Sequence, residues 1–188
     1  MFIYLHGFNS SPASFKARLL AQRLRVLGRG DEFVAPRLPH RPAQAIATIE
    51  RELAGCAPDS VTLIGSSLGG HYATWMAERY DVRAALVNPA LAPHTLLATV
   101  LGPQTNLYTG EHYELTATHI EELRALDIQA ITRPERYLLI VAMGDEVLDS
   151  RIALQKYSHS IQIVHRGGDH GFAEFAQYLD AVIDFGTR

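Results

Sequence analysis

The chain has 188 residues, of which 47% are hydrophobic and 20% are charged, and its formal net charge is −3 at pH 7. This composition is typical of one soluble globular domain, residues 1–188, and excludes a disordered chain. Because Lys and Arg are dispersed, we expect neither nucleic acid nor an anionic membrane surface as a partner. With no basic leader and no apolar segment of membrane-spanning length, we expect a cytoplasmic protein.

Short apolar runs alternate with helix-like segments along the chain. The run 137–142 is apolar throughout, as in a strand that is covered on both faces. The segments between such runs carry apolar residues at three- and four-residue spacing, which predicts helices. The predicted strands are 2–5, 33–38, 61–64, 84–87, 137–142 and 161–164, and the predicted helices are 14–27, 42–56, 68–80 and 172–185. This alternation predicts an α/β fold with a mostly parallel sheet of about six strands flanked by helices.

Two prolines and one atypical segment mark the boundaries of these elements. Pro12 and Pro42 stand near predicted helix starts, where the missing N–H of proline costs nothing. The segment 93–133 breaks the alternation, because it combines turn signals such as Gly102-Pro103 with only short helical patterns. We predict that this segment inserts turns and short helices as a lid over the carboxyl edge of the sheet, within a single domain.

The stretch Gly65-Ser66-Ser67-Leu68-Gly69 lies between a predicted strand and a predicted helix. It matches the Gly-x-Ser-x-Gly frame of a nucleophile elbow, in which the central residue takes a strained conformation that lifts its hydroxyl above the sheet. Ser67, and not Ser66, is therefore the candidate nucleophile. A structural turn also accounts for glycine and serine here. A serine hydroxyl is a poor nucleophile at neutral pH, so the chemistry requires a histidine and a carboxylate as well.

Two loops downstream supply both partners. Asp145 follows the run 137–142, and His170 follows the predicted strand 161–164. The carboxyl ends of parallel strands meet at one edge of a sheet, so both side chains are expected on the edge that carries Ser67. The order nucleophile, acid, base along the chain is the one in which such sheets present a triad.

Other residues compete for the roles of acid and base. Asp149 and, after it, Glu146 are alternative acids in the same loop. His165 lies within or just beyond a predicted strand, where a structural role is favoured over that of base. Asp169 is best explained as a turn or cap residue.

An acyl-transfer reaction also needs two N–H donors for the oxygen that becomes negative. The elbow offers the N–H of Leu68, at the start of a helix. The loop after the first strand offers that of Phe8, beside Gly7, which allows the backbone to come near a substrate. His6 either orients this loop by hydrogen bonding or is a buried core histidine.

The sequence gives no reason to expect a cofactor or a metal ion. The glycines of the stretch 65–70 have the wrong spacing for a dinucleotide-binding turn. The nine histidines show no metal-ligand spacing supported by carboxylates. The single Cys56 excludes an internal disulfide, and we expect it to be a small buried hydrophobic residue.

Together these stretches resemble the α/β-hydrolase superfamily and, more narrowly, the small bacterial YqiA-like esterases. The matching stretches run from end to end: YLHGFNSSP at 4–12, GSSLGGHYATW at 65–75, VNPA at 87–90, YTG at 108–110, GDEVLD at 144–149 and GGDHGF at 167–172. The resemblance implies a compact hydrolase without extra N-terminal strands, with Ser67, Asp145 and His170 as its triad. It also implies esterase or thioesterase activity on acyl substrates.

The predicted function is hydrolysis of carboxylic ester or thioester bonds in a small acyl substrate through an acyl-enzyme. Peptide cleavage and acyl transfer to an alcohol use the same triad, and a hydrolase scaffold that binds a small molecule without turnover is an alternative of a different class. The natural substrate and the oligomeric state stay open. Six large residues of the segment 93–133 either line an acyl pocket or pack that segment on the sheet: Leu96, Leu97, Leu101, Leu107, Tyr108 and Tyr113.

Overall fold

The computed structural model, which describes residues 1–188, contains eight strands and seven α-helices. The strands are β1 (Phe2–Leu5), β2 (Phe33–Val34), β3 (Thr62–Ser66), β4 (Arg83–Val87), β5 (Gly102–Thr105), β6 (His112–Leu115), β7 (Tyr137–Ala142) and β8 (Ile161–His165). The helices are α1 (Phe15–Val26), α2 (Pro42–Leu53), α3 (Leu68–Tyr80), α4 (Pro93–Leu97), α5 (Ala117–Ala125), α6 (Ser150–Lys156) and α7 (Leu179–Phe185). None of these helices combines the length and the apolar character needed to cross a membrane.

Six of the strands form one sheet in the order β2-β1-β3-β4-β7-β8, and every neighbouring pair in it is parallel. The remaining two strands, β5 and β6, form a separate antiparallel hairpin. The predicted α/β fold with a parallel sheet of six strands flanked by helices is confirmed.

The two faces of the sheet belong to two hydrophobic cores. Along β1, Ile3 and Leu5 join the core that also contains α2 and α3, whereas Phe2 and Tyr4 join the core beneath α1 and α7. This split follows from the alternation of side chains along a strand. Every residue of β7 is buried, as its continuous apolar run predicts, whereas the edge strand β8 is only partly buried.

Several element boundaries differ from the predicted ones. The predicted strand 33–38 ends after Val34, at the edge of the sheet. Pro36 has no N–H to donate to a neighbouring strand, so the pairing does not continue through it. The predicted helix 172–185 begins as a 3₁₀ segment, Ala173–Tyr178, and becomes α-helical only in α7. Helix α6 was not predicted, since seven residues are too few to show a helical period.

Three further expectations have mixed outcomes. Pro42 is the first residue of α2, as predicted, but Pro12 lies in a turn before α1, which begins only at Phe15. Cys56 is half-buried and not fully buried. It packs at the margin of the core that contains α2, where its thiol lies 3.7 Å from the carbonyl oxygen of Glu52.

The segment 93–133 contains the hairpin β5-β6 between the short helices α4 and α5, so the expectation of only turns and short helices missed two strands. The hairpin is fastened to the loop that follows β1. The side-chain amide of Asn106 donates to the carbonyl oxygen of Ser10 at 2.8 Å, and the Tyr113 hydroxyl donates to Oδ1 of Asn9 at 2.8 Å. The Asn9 amide donates in turn to Oε1 of Gln104 at 3.3 Å. These bonds join the hairpin to the loop that begins at the carboxyl end of β1.

Helix α3 lies against the sheet at a distance that only glycine permits. A Cβ atom on Gly69 would lie 2.0 Å from the carbonyl oxygen of Leu5, and one on Gly65 would lie 2.4 Å from the carbonyl oxygen of Gly69. A Cβ on Gly70 would meet Pro89 at 2.6 Å. All three contacts are shorter than any ordinary van der Waals contact, so the elbow between β3 and α3 requires glycine at these positions.

We expect Gly69→Ala to destabilise the protein strongly, because the new methyl group meets backbone atoms that cannot move without shifting β1 or α3. Overpacking of this kind costs about 3 kcal/mol or more, which lowers the melting temperature by about 10 °C in a chain of this size. Thermal unfolding followed by circular dichroism measures the change.

Gly30→Ala is the matched control, because a Cβ at Gly30 would have its nearest neighbour, Arg25 Cα, at an ordinary 3.6 Å. Its melting temperature should stay within about 2 °C of the wild-type value. Equal stability of the two variants would contradict the glycine requirement at the elbow.

Candidate active site

Ser67 occupies the turn between β3 and α3 in a backbone conformation that L-residues rarely adopt, with φ 53° and ψ −119°. Its N–H donates to the carbonyl oxygen of Val87 at 3.1 Å. Its carbonyl oxygen accepts from the N–H of Gly70 at 2.8 Å and from that of Ala90 at 3.0 Å. Such a conformation costs about 1–3 kcal/mol and persists only where the surroundings impose it. Here α3 and the end of β4 impose it.

The three residues predicted as nucleophile, acid and base lie together in one hydrogen-bonded chain. Nε2 of His170 lies 3.0 Å from Oγ of Ser67, and Nδ1 of His170 lies 2.8 Å from Oδ2 of Asp145. A carboxylate accepts only, so Nδ1 carries the proton and Nε2 is free to accept the proton of the serine hydroxyl. This arrangement can move a proton from Ser67 to His170.

The carboxylate of Asp145 is enclosed, whereas the imidazole is open to the cavity. Only 1% of the Asp145 side chain is exposed, against 23% of that of His170. Oδ1 of Asp145 accepts from the N–H groups of Val147 and Leu148 at 2.9 and 2.8 Å, so its second oxygen is left for the histidine. These bonds fix the carboxylate in the plane that orients the imidazole ring.

The alternative acids and base have other partners. Asp149 caps α6 and pairs with Arg151. Glu146 accepts from the backbone N–H of His170 at 3.0 Å. It therefore holds the loop 166–172, called the histidine loop below, through the backbone and not through the imidazole ring. Nδ1 of His165 lies 2.8 Å from the hydroxyl of Tyr178, far from the elbow.

Asp169, which was expected to be a turn or cap residue, accepts from the N–H of Phe172 at 2.7 Å through its side chain. Phe172 has a φ of 53°, and its N–H also lies 3.2 Å from the carbonyl oxygen of Asp169. Asp169 therefore closes the turn that presents His170.

The predicted oxyanion donors lie on the wall of the same cavity as Ser67. The N–H of Phe8 donates to no other backbone group, and that of Leu68, the first residue of α3, has no partner within the helix. A Cβ atom on Gly7 would lie 3.2 Å from Cβ of Ser67, so a side chain at this position would crowd Ser67.

His6 orients the loop that carries Phe8, and it is also buried, so its two predicted roles coincide. Nδ1 of His6 lies 3.1 Å from the carbonyl oxygen of Gly7, and Nε2 accepts from the N–H of Leu38 at 3.2 Å. Burial lowers the pKa of His6, which keeps the ring neutral and able to accept at Nε2.

Asn88 is a site residue that the sequence reasoning did not single out, although it lies in the VNPA stretch. It follows β4, is 3% exposed and has a φ of 42°. Oδ1 of Asn88 accepts from the N–H of Ala142 at 2.8 Å, and Nδ2 lies 3.2 Å from the carbonyl oxygen of Asp169 and 3.4 Å from that of His170. This one side chain ties the histidine loop to the ends of β4 and β7.

A cavity of about 710 Å³ opens beside Ser67. Of the large residues in the segment 93–133, three line it, so both expectations for that segment are met in part. Leu101 and Leu107 are exposed and do not reach it, and Tyr113 stacks on His40 with ring centroids 4.2 Å apart. The three lining residues are Leu96, Leu97 and Tyr108.

Known proteins resemble this chain both in sequence and in fold. The model of the "Uncharacterised protein family (UPF0227)" matches residues 1–187. A UPF0227 protein of Klebsiella pneumoniae is 25% identical over 194 residues, which cover 100% of this chain and 99% of that protein.

Among solved structures, alpha/beta hydrolase domain-containing protein 10 from mouse superposes with a TM-score of 0.71 at 18% identity, covering 97% of this chain and 89% of the other. The esterase domain of a Rhodothermus marinus protein superposes with a TM-score of 0.63 at 17% identity, covering 99% and 82%. At these identities the superpositions speak for the fold, and the fold is that of the α/β hydrolases. Since the family model spans nearly the whole chain, the protein belongs to the UPF0227 family, in agreement with its YqiA-like sequence.

Proposed function

We propose that this protein is a serine hydrolase that cleaves carboxylic ester or thioester bonds of small acyl substrates. The observation that carries the proposal is the hydrogen-bonded chain from the enclosed Asp145 carboxylate through His170 to Ser67, with the serine at the edge of a cavity of about 710 Å³. A strained serine, an imidazole in the accepting tautomer and a fixed carboxylate are the parts that nucleophilic catalysis by serine needs.

The reaction proceeds in two halves. In the first, Nε2 of His170 takes the proton of Ser67 as Oγ attacks the acyl carbon, and the N–H groups of Leu68 and Phe8 stabilise the negative oxygen. The C–O or C–S bond then breaks, and the leaving alcohol or thiol receives its proton from His170. In the second half, His170 takes a proton from water, the resulting hydroxide attacks the acyl-enzyme, and Ser67 regains its proton as the acid leaves.

The cavity and the fold support an ester or thioester substrate. Apolar side chains such as Phe15, Leu96 and Val147 line the cavity beside the nucleophile, which suits an acyl chain. The solved Rhodothermus marinus domain of the same fold is described as an esterase. Peptide cleavage and acyl transfer remain activities that the same three residues can perform, because the fold does not choose the substrate.

Ser67→Ala is expected to abolish ester hydrolysis, with kcat reduced by a factor on the order of 10⁶. The purified protein and the variant are compared on p-nitrophenyl esters from acetate to long acyl chains, with circular dichroism as the check on folding. The chain-length optimum of the wild type measures the acyl pocket. Turnover that is equal in the two proteins would refute the assignment of Ser67, and binding of esters without turnover would favour a non-catalytic binding protein.

The two aspartates of the loop after β7 are expected to differ sharply. Asp145→Asn places an amide opposite Nδ1 of His170, favours the wrong tautomer and should lower kcat by about 10⁴-fold. Asp149→Asn removes a carboxylate that only caps α6 and pairs with Arg151, so kcat should stay within about twofold of the wild type. Steady-state kinetics on one ester compare both variants. A larger loss in Asp149→Asn would reassign the acid.

Asn88→Asp tests whether Asn88 positions the histidine loop. The aspartate still accepts from the N–H of Ala142 and tolerates a positive φ, but its ionised carboxylate cannot donate to the carbonyl oxygens of Asp169 and His170 and repels them. Misplacement of His170 should lower kcat by about 10- to 100-fold with KM little changed. Unchanged kcat would show that other contacts suffice to hold the loop.

A further inference from the structure

Three residues of the cavity lining, Tyr4, Ser14 and Ser66, carry hydroxyl groups that the proposed reaction does not use; we call them the floor of the cavity. Tyr4, Ser14 and Ser66 all line the cavity, although each is at least nine-tenths buried. Tyr4 of β1 pairs with Ile64 of β3, and Ser66 follows Ile64 by two residues, so Tyr4 and Ser66 point to the same face of the sheet. That face packs against α1, whose N-terminus Ser14 precedes.

The hydroxyl of Ser14 lacks a hydrogen-bond partner. This residue occupies the N-cap position of α1, where a serine usually accepts a hydrogen bond from the first turn, but its side chain makes no capping bond. Its Oγ is buried and has no hydrogen-bond partner. A buried hydroxyl without a partner is destabilising unless a ligand or an ordered water molecule supplies the missing hydrogen bond.

The hydroxyl-bearing side chains of Tyr4, Ser14 and Ser66 line the same cavity. Burial raises the pKa of Tyr4 to about 12. The phenol therefore keeps its proton at neutral pH and can donate it to a ligand. The three hydroxyls together offer both donors and acceptors to a ligand in the cavity.

The charges around the cavity favour a neutral ligand group. Lys16 is the cation of the wall, and its Nζ already donates to the carbonyl oxygen of Gly171 at 2.7 Å. The negative charges of Asp169 and Asp145 act on the same ammonium group, and Asp169 itself lines the cavity. The two carboxylates outnumber this one ammonium group, so the site has no net positive charge to offer a carboxylate or a phosphate of the substrate.

We propose that the hydroxyls of Tyr4, Ser14 and Ser66 form a subsite for a neutral oxygen, a hydroxyl or oxo group, on the chain of the substrate. The natural substrates are thus oxygenated esters or thioesters and not plain alkyl ones. This inference rests on the proposed hydrolase function, whose substrate class it narrows. A substrate that carries such an oxygen forms hydrogen bonds with the buried hydroxyls. A plain alkyl chain displaces water from them and leaves them without hydrogen-bond partners.

Matched substrate pairs test the subsite in two arms. One arm uses p-nitrophenyl esters of 2-, 3- and 4-hydroxy and oxo acids against the unsubstituted acids of the same length. The other uses acetate esters of diols against those of the corresponding monoalcohols. The wild type should prefer an oxygenated member by at least about tenfold in kcat/KM in one arm, which also identifies the part of the substrate that reaches the floor.

Two variants remove single hydroxyls from the floor, and one control removes a hydroxyl elsewhere. Tyr4→Phe and Ser14→Ala should bring the preference close to one, because each removes a hydroxyl that an oxygenated substrate pairs and a plain alkyl chain leaves unpaired. Ser14→Ala should not lower the melting temperature, because no capping bond is lost and an unpaired buried hydroxyl is removed. The control, Tyr80→Phe, loses a hydroxyl that donates to Glu50 outside the cavity and should keep the full preference.

The possible outcomes separate the two proposals. Cleavage that depends on Ser67 but shows no preference in either arm would overturn the subsite and leave the hydrolase standing, with water as the occupant of the floor. A preference that survives in both Tyr4→Phe and Ser14→Ala would place the recognition elsewhere and also overturn the subsite. No Ser67-dependent cleavage of any ester would overturn the hydrolase proposal, and the subsite with it.

Discussion

The contact between Gly69 of α3 and the carbonyl oxygen of Leu5 is the constraint on which the site depends. A Cβ atom at Gly69 would lie 2.0 Å from that oxygen, so the helix can approach β1 only because the side chain is absent. The close approach leaves no room for a gradual turn after β3, and Ser67 takes up the sharp change of direction with a φ of 53°. The same approach brings the loop after Leu5, with Gly7 and Phe8, against the serine. The positions of the proposed nucleophile and of the proposed oxyanion donors are thus set by one packing contact.

The opposite wall of the site is built from loops and is held by hydrogen bonds. The histidine loop is bonded from several sides: Asn88 reaches it from the end of β4, Glu146 holds the His170 N–H, and Lys16 of α1 donates to Gly171. Each of these bonds joins elements far apart in the chain. Because an imidazole must meet the serine within a few tenths of an ångström, this bracing matters as much as the identity of the catalytic groups. Loops that present reacting groups are positioned by a rigid scaffold in this way.

The features that could be predicted from the sequence are those that depend on residues close together in the chain. The apolar run of β7 and the glycine frame around Ser67 each depend on neighbours in the chain, so the sheet and the elbow could be predicted. The pairing of Asp145 with His170, and not of Asp149 or Glu146, is a matter of distances between two loops, and the sequence left those acids open. Asn88 gave no signal because its role lies in contacts with residues more than fifty positions away. The hairpin β5-β6 was missed because strands of four residues beside Gly102-Pro103 resemble a loop.

Whether His170 and Asp145 activate Ser67 can be measured by covalent labelling of the serine. The protein is treated with a fluorophosphonate, its intact mass is measured, and the modified peptide is sequenced by tandem mass spectrometry. We expect one adduct on Ser67 and none on the adjacent Ser66, with labelling slowed by orders of magnitude in His170→Ala. No adduct, an adduct on Ser66, or an undiminished rate in His170→Ala would show that His170 and Asp145 do not activate Ser67.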